Sequence, residues 1–237
     1  MLKEFVNRIL ELNRPEIVEV NKQSFSTSEL HLISESPRVA SMGVRSLVGI
    51  VDYIKSNFDG ERKLLIHIES QTKISLIDQL DHTNDRRSYI QSSALLPDIT
   101  FGRFMDREQF QIMMQSTFVP NLDRSTVLAI ISNIVVKDGV VEMSDNGFTQ
   151  EIAVQVGAAT RDNIEIPERV ALKPYRTFTE VEQPESEFIL RLNKDGHVGL
   201  FEADGGVWKH HAIHSIAEYF KSELSEEIAS GNIHILR

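Results

Sequence analysis

Short apolar runs separated by turn residues constrain this chain most. Phe188-Ile189-Leu190-Arg191-Leu192 and Val198-Gly199-Leu200-Phe201 flank Asn193-Lys194-Asp195-Gly196, a polar turn ending in glycine. Two apolar runs closed by such a turn read as a β-hairpin. The pattern recurs. Leu64–Ile68 and Lys73–Ile77 read as a second hairpin, with Tyr89–Leu95 as a third strand of the same sheet. Val135-Val136 and Val140-Val141 flank Lys137-Asp138-Gly139, and Ser144–Gly147 is a further turn before Phe148, Ile152, Val154 and Val156. Strands joined by turns this short pair antiparallel, because a parallel pair needs a long crossover.

Helical periods alternate with these runs. Leu2, Phe5, Val6, Ile9, Leu10 and Leu12 recur at helical spacing over 2–13, before Asn13-Arg14-Pro15. Ile17–Val20 and Phe25–Ile33 follow as strand candidates. Residues 41–57 read as a long helix capped by Ser41, with Val44, Leu47, Val48, Val51 and Ile54 as its stripe. Asp106 followed by Gln109 resembles a capping box and starts a helix over 107–117, which Pro120 separates from another beginning at Asp123. Residues 207–224 form the last helix, and Ile233–Leu236 a closing strand. The expected fold class is α+β, with mainly antiparallel sheets and three to five helices. A single domain over 1–237 is expected, a loose subdivision into 1–105 and 106–237 being the alternative.

Composition excludes several chemistries. The 237 residues include no cysteine, which removes disulfides, thiolate nucleophiles and cysteine-ligated metal sites. Thirty-five acidic against 25 basic residues give a net charge of −10, which argues against nucleic acid as a partner. No apolar run approaches the ~20 residues that span a bilayer, so no membrane partner is expected. No leader follows Met1, and a cytoplasmic location is expected. Phosphate-binding glycine loops, nucleophile elbows and complete calcium loops are missing from the sequence, so no cofactor and no catalytic residue is assigned.

Two segments are dense in candidate residues. Pro174–Pro184 holds Tyr175, Arg176, Phe178 and Glu182 between prolines. Tyrosine, arginine and phenylalanine are enriched at protein interfaces. Arg176 is also placed to form a buried ion pair with Glu180 or Glu182, so an interface and a structural clamp both stay open. Glu202-Ala203-Asp204-Gly205-Gly206-Val207-Trp208 leaves a strand and enters a helix. Glycines there would open backbone N–H groups to an anion, but Glu202 and Asp204 would repel it. The plainer reading makes Asp204 the helix cap and Gly205-Gly206 a tight turn. Ligand or interface candidates are therefore Tyr175, Arg176, Phe178, Glu182, Glu202, Asp204, Gly205, Gly206 and Trp208. His210 and His214, spaced i, i+4, lack the glutamate of a zinc protease and read as a polar helix face; no metal site is assigned.

Leu172-Lys173-Pro174-Tyr175-Arg176-Thr177-Phe178 with Glu182-Gln183-Pro184, and Phe201–Gly206, resemble segments of a group of uncharacterised phage and prophage proteins. The chain layout is similar to that of the YfdQ-like prophage proteins, although a helix stands where that pattern has an Arg- and Tyr-rich closing strand. The resemblance implies phage origin and action inside a bacterial host cell. It carries no activity and no site residue. The leading expectation is a non-enzymatic, self-associating phage protein, a homo-oligomer that at its extreme forms a shell, with phage or host proteins as further partners. The alternatives are an accessory protein that binds a small molecule or host factor through Arg176, Glu202, Asp204 and Trp208, and a hydrolase holding a metal on Glu202, Asp204 and His210.

Overall fold

Alternation along Ser186–Leu192 sets the pattern for the fold. Ser186, Phe188, Leu190 and Leu192 are buried, while the residues between them are more accessible. That period of two puts one strand face into a core. The computed structural model describes residues 2–12, 15–20, 23–27, 29, 40–81, 84–134, 136–137, 140–141, 143–145, 149–156 and 160–237. These fall into two compact units, Met1–Val39 and Ala40–Arg237. Among the described residues the chain is α+β, with mainly antiparallel sheets as expected. Among the described residues there are six helices, the expected ones and the short α6 (Ser225–Ala229) among them.

The described residues of the first unit form helix α1 (Leu2–Leu12) and the antiparallel ribbon β1 (Ile17–Val20) and β2 (Gln23–Ser26). Val18 lies opposite Phe25, and Ile17 opposite Ser26. The ribbon's open end is tied by Thr27 N–H donating to the Glu16 carbonyl at 3.0 Å and Glu16 N–H donating to Thr27 Oγ1 at 2.9 Å. The strand expected over Phe25–Ile33 ends at Ser26; residues 28 and 30–33 lie outside the described residues.

The second unit has two cores. One sits on a five-stranded sheet, in spatial order β16 (Ile233–Leu236), β4 (Leu64–Ser70), β5 (Lys73–Asp78), β6 (Ser88–Ser93) and β3 (Met42–Val44). The expected hairpin and third strand form its centre, antiparallel throughout. Both edge strands run parallel to their neighbours, so the sheet is mixed. Helices α2 (Val48–Ser56) and α5 (Trp208–Glu223) cover it with Leu47, Ile50, Val51, Ile216, Ala217 and Phe220.

The helix expected over 41–57 is corrected by this sheet. Met42–Val44 pairs with Ile90–Ser92 as a strand, and the helix begins only at Val48. Ser41 therefore caps nothing. Ser46 Oγ accepts from Gly49 N–H at 3.2 Å, and the Leu47 N–H donates to the Glu180 carboxylate at 2.7 Å. The partner of the Leu47 amide is thus 133 residues away.

The other core sits on a four-stranded sheet, β13 (Arg169–Leu172), β14 (Ser186–Leu192), β15 (Val198–Glu202) and β7 (Phe104–Met105). Helices α3 (Arg107–Thr117) and α4 (Leu122–Ser132) bury Phe110, Met114, Val127 and Ile131 against Leu172, Phe188, Leu190 and Leu200. Asp106 caps α3 as expected, accepting from Gln109 N–H at 2.9 Å. Helix α4 begins one residue before the expected Asp123, and Asn121 caps it. Asp123 instead accepts the Ala171 N–H at 2.7 Å, and Asn121 donates to the Ala171 carbonyl at 2.8 Å. Together they occupy the backbone of edge strand β13, a standard protection of a sheet edge.

The remaining strands are β10 (Met143–Asp145), β11 (Gln150–Val156) and β12 (Thr160–Ile166), the expected meander, and the pair β8 (Val136–Lys137) and β9 (Val140–Val141). Residues 138–139 and 146–147 of the expected turns, and Phe148 of the expected strand, lie outside the described residues. The buried amide of Gln150 joins the meander to the hairpin, donating to the Leu192 carbonyl and accepting the Leu192 N–H, each at 3.0 Å.

Candidate functional site

The segment from Lys173 to Glu185 leaves the four-stranded sheet after β13, sets Phe178 into the core of the five-stranded sheet, and returns to the four-stranded sheet at β14. Its prolines and unpaired backbone keep it out of both sheets, so side chains must satisfy it. At its start, Pro174 bridges to Phe118, and Tyr175 N–H donates to the Thr117 carbonyl at 2.9 Å. Further on, Thr177 Oγ1 donates to the Gln71 carbonyl at 2.6 Å, and Phe178 is sealed in the core of the five-stranded sheet. Gln183 closes the loop on itself. Its Oε1 accepts the Arg176 and Thr177 N–H groups at 2.9 and 3.2 Å, and its Nε2 donates to the Phe178 carbonyl at 3.0 Å.

Arg176 points the other way, toward side chains of β14 and β15. Its Nη1 pairs with Glu202 Oε1 at 2.8 Å and its Nη2 donates to Ser186 Oγ. The guanidinium carbon lies 3.8 Å from the Trp208 ring centroid and 5.6 Å from that of Phe188. Stacking on the two rings compensates for part of the lost hydration. Burial pushes the Arg176 pKa down to about 10, against the opposing pull of Glu202 and Asp204, so the group stays charged at neutral pH. Arg176 Nε and Trp208 Nε1 are buried without an acceptor among the described residues.

Asp204 and the two glycines follow the plainer reading. Asp204 accepts from Gly206 N–H at 3.0 Å and Trp208 N–H at 3.3 Å, so the carboxylate takes amides that an anion would need. Gly205 and Gly206 have φ of +64° and +84°, a backbone region glycine enters without strain.

The structure thus brings together Arg176, Glu202, Asp204 and Trp208, and adds Ser186 and Phe188, which sequence reasoning missed. It separates the others. Tyr175 is half-buried near the Thr117 end, Phe178 belongs to the opposite core, and Glu182 is exposed, paired with Lys173 at 2.6 Å. The anticipated partner of Arg176 is corrected: Glu180 holds Leu47 N–H and Glu182 holds Lys173, while Glu202 holds the arginine. The sequence places residues 176 and 202 in one candidate site but does not mark them as an ion pair, which follows from the β14–β15 register.

His210 and His214 are exposed, and His214 Nδ1 lies 2.7 Å from Arg237 Nη1. Among the described residues no three His, Asp or Glu side chains gather as a metal site would require. No described helix is long and apolar enough to cross a membrane.

One cleft escaped sequence reasoning. It has a volume of about 210 Å³ and lies between the end of α2, the turn after it, and the α6–β16 connection. Tyr53 donates to Asp59 at 2.5 Å at its side, and Phe58, 82% exposed, stands among its lining residues. The sequence Phe58-Asp59-Gly60 signals the turn, not the cleft.

The first unit differs from all of this. Phe5, Ile17 and Phe25 are 64%, 72% and 52% exposed, and Val6 and Val18 are exposed beside them. No protein-family model, curated protein or solved structure matches the chain.

Proposed function

We propose that this chain is a non-enzymatic, self-associating protein of phage origin, acting in the bacterial cytoplasm, with Met1–Val39 as its association element. One observation carries the reading: a 39-residue unit exposes Phe5, Val6, Ile17, Val18 and Phe25. Below about 40 residues a unit usually needs disulfides, a metal or oligomerisation to stay folded. The sequence has no cysteine, and the described residues gather no metal ligands. Association supplies the apolar contact that these exposed side chains lack within the unit. The phage origin rests on the resemblance of the 172–184 and 201–206 segments. The assembly is a homo-oligomer whose upper extreme is a shell.

Light scattering after size exclusion tests the proposal. A mass above one chain, concentration-dependent at high dilution, is expected. A monomer at every concentration would remove it.

A second reading, capture of a small molecule, finds its support in the cleft beside Phe58. The Arg176–Trp208 pocket does not support that reading, since its orphan donors are sealed from solvent. The metal-hydrolase reading has no support from the described residues.

A further inference from the structure

We propose that the cleft beside Phe58 binds a small organic cation, an ammonium or guanidinium group on a short apolar stem. The inference rests on the capture reading, the second one given above, and supplies its class of ligand. Three features of the cleft select a cation.

The first is the state of its charged groups. The cationic side chains are engaged. Lys55 Nζ lies 3.6 Å from the Glu223 carboxylate, and Arg62 donates through Nη1 to the Tyr89 hydroxyl and through Nε to the Asp59 carbonyl. The Asp59 carboxylate accepts from the Tyr53 hydroxyl. Glu61, on the connection from α2 to β4, and Glu227, on α6, also line the cleft. Neither carboxylate has a hydrogen bond or ion pair among the described residues. The charge left unmet at the cleft is therefore negative, and a positive group donating hydrogen bonds meets it.

The second is a helix end. Ile54 and Lys55 in the last turn of α2, and its C-cap Asn57, line the cleft. The carbonyl end of a helix carries partial negative charge, which favours a cation beside it and disfavours an anion. Asn57 closes the helix with φ of +49°, and the chain then turns through Phe58.

The third is an open aromatic ring. Phe58 is 82% exposed, and the face of such a ring attracts an ammonium or guanidinium. Tyr53, Leu64 and Ile233 add apolar surface for a stem. The cleft volume of about 210 Å³ falls below the ~300–1,000 Å³ of sites for drug-sized ligands, so the stem is short.

Calorimetric titration of the full-length protein in low-salt buffer compares three probes on one four-carbon stem: 1,4-diaminobutane, 1,4-butanediol and succinate. The expected result is binding of the diamine, with neither the diol nor succinate matching it. Glu61→Gln/Glu227→Gln should weaken the diamine by about five-fold or more, as the loss of two exposed ion pairs implies. Phe58→Ala should weaken it by about two- to five-fold. Glu226→Gln removes an exposed carboxylate of α6 that does not line the cleft, and should leave binding within about two-fold of the parent. Equal diamine binding by the parent and the double variant would overturn the inference, as would a loss in Glu226→Gln as large as in the double variant. Diol or succinate binding as tightly as the diamine would overturn the cation class and leave capture of a small molecule standing. No binding of any probe would overturn both.

Discussion

The Pro174–Pro184 segment and the Met1–Val39 unit differ in where their apolar side chains lie. The first has an interface composition, with tyrosine, arginine and phenylalanine between prolines, yet Arg176, Thr177 and Phe178 are buried and Gln183 ties its backbone. The second opens with an ordinary amphipathic helix, the kind that covers a core, yet its described side chains are exposed. Composition registers which groups prefer contact. Whether that contact is internal depends on how much chain is available to supply the other side. Pro174–Pro184 lies between two cores that supply it, whereas a 39-residue unit has little chain from which to build one.

The sharpest way to break this comparison is to cut into the segment between the cores. Phe178→Ala removes a ring that is 1% exposed and should cost about 3–5 kcal/mol in denaturant unfolding. A loss under about 1 kcal/mol would mean the segment is not part of the core. Arg176→Ala should follow at about 2–4 kcal/mol, since Ser186 and the Trp208 and Phe188 faces lose their partner. Glu202→Gln should cost only about 1 kcal/mol, because water reaches that half-exposed side chain and an amide oxygen still accepts a hydrogen bond. Equal losses for the two variants would show that the ion pair, rather than stacking and packing, holds Arg176.

Gln183→Ala leaves the buried Arg176 and Thr177 N–H groups without an acceptor and should cost about 2 kcal/mol. Against these, Phe5→Ser, Val18→Ser and Phe25→Ser should each change the unfolding free energy of a dilute sample by no more than about 0.5 kcal/mol, the usual range for exposed positions. The difference between the two sets is the comparison in measurable form.

The smallest effect lies on the outer side of the segment. The Lys173 ammonium holds the Glu182 carboxyl below the usual carboxylate range. Its folded pKa is lower than its unfolded one, so its contribution is present above the unfolded value and disappears as pH falls through the folded value. An NMR titration should find Glu182 depressed and Lys173→Gln should return it to the ordinary range.

Local signals carried most of the element assignments. The 64–77 and 188–201 hairpins and the Asp106 cap depend on neighbours within a few residues, and the sequence displays them. The region 41–57 misled because Met42–Val44 owes its strand to Ile90–Ser92 and the start of α2 depends on Glu180. Both are long-range partners. The candidate site shows the same division. The Asp204–Gly206 turn was readable because its bonds span four residues at most. The Arg176–Glu202 pair was not, because two nearby carboxylates, Glu180 and Glu182, competed on paper and the sheet brings up a third from 26 residues away. Exposure of the first unit was also hidden, since an apolar stripe at helical spacing does not say what lies against it.

Light scattering of the parent chain beside the triple variant Phe5→Ser/Val18→Ser/Phe25→Ser, over the same dilution series, tests the central claim most directly. The account predicts a concentration-dependent oligomer for the parent and a monomer for the variant, with the denaturant midpoint of the body unchanged. An identical oligomer in both proteins, or a monomeric parent, would contradict it.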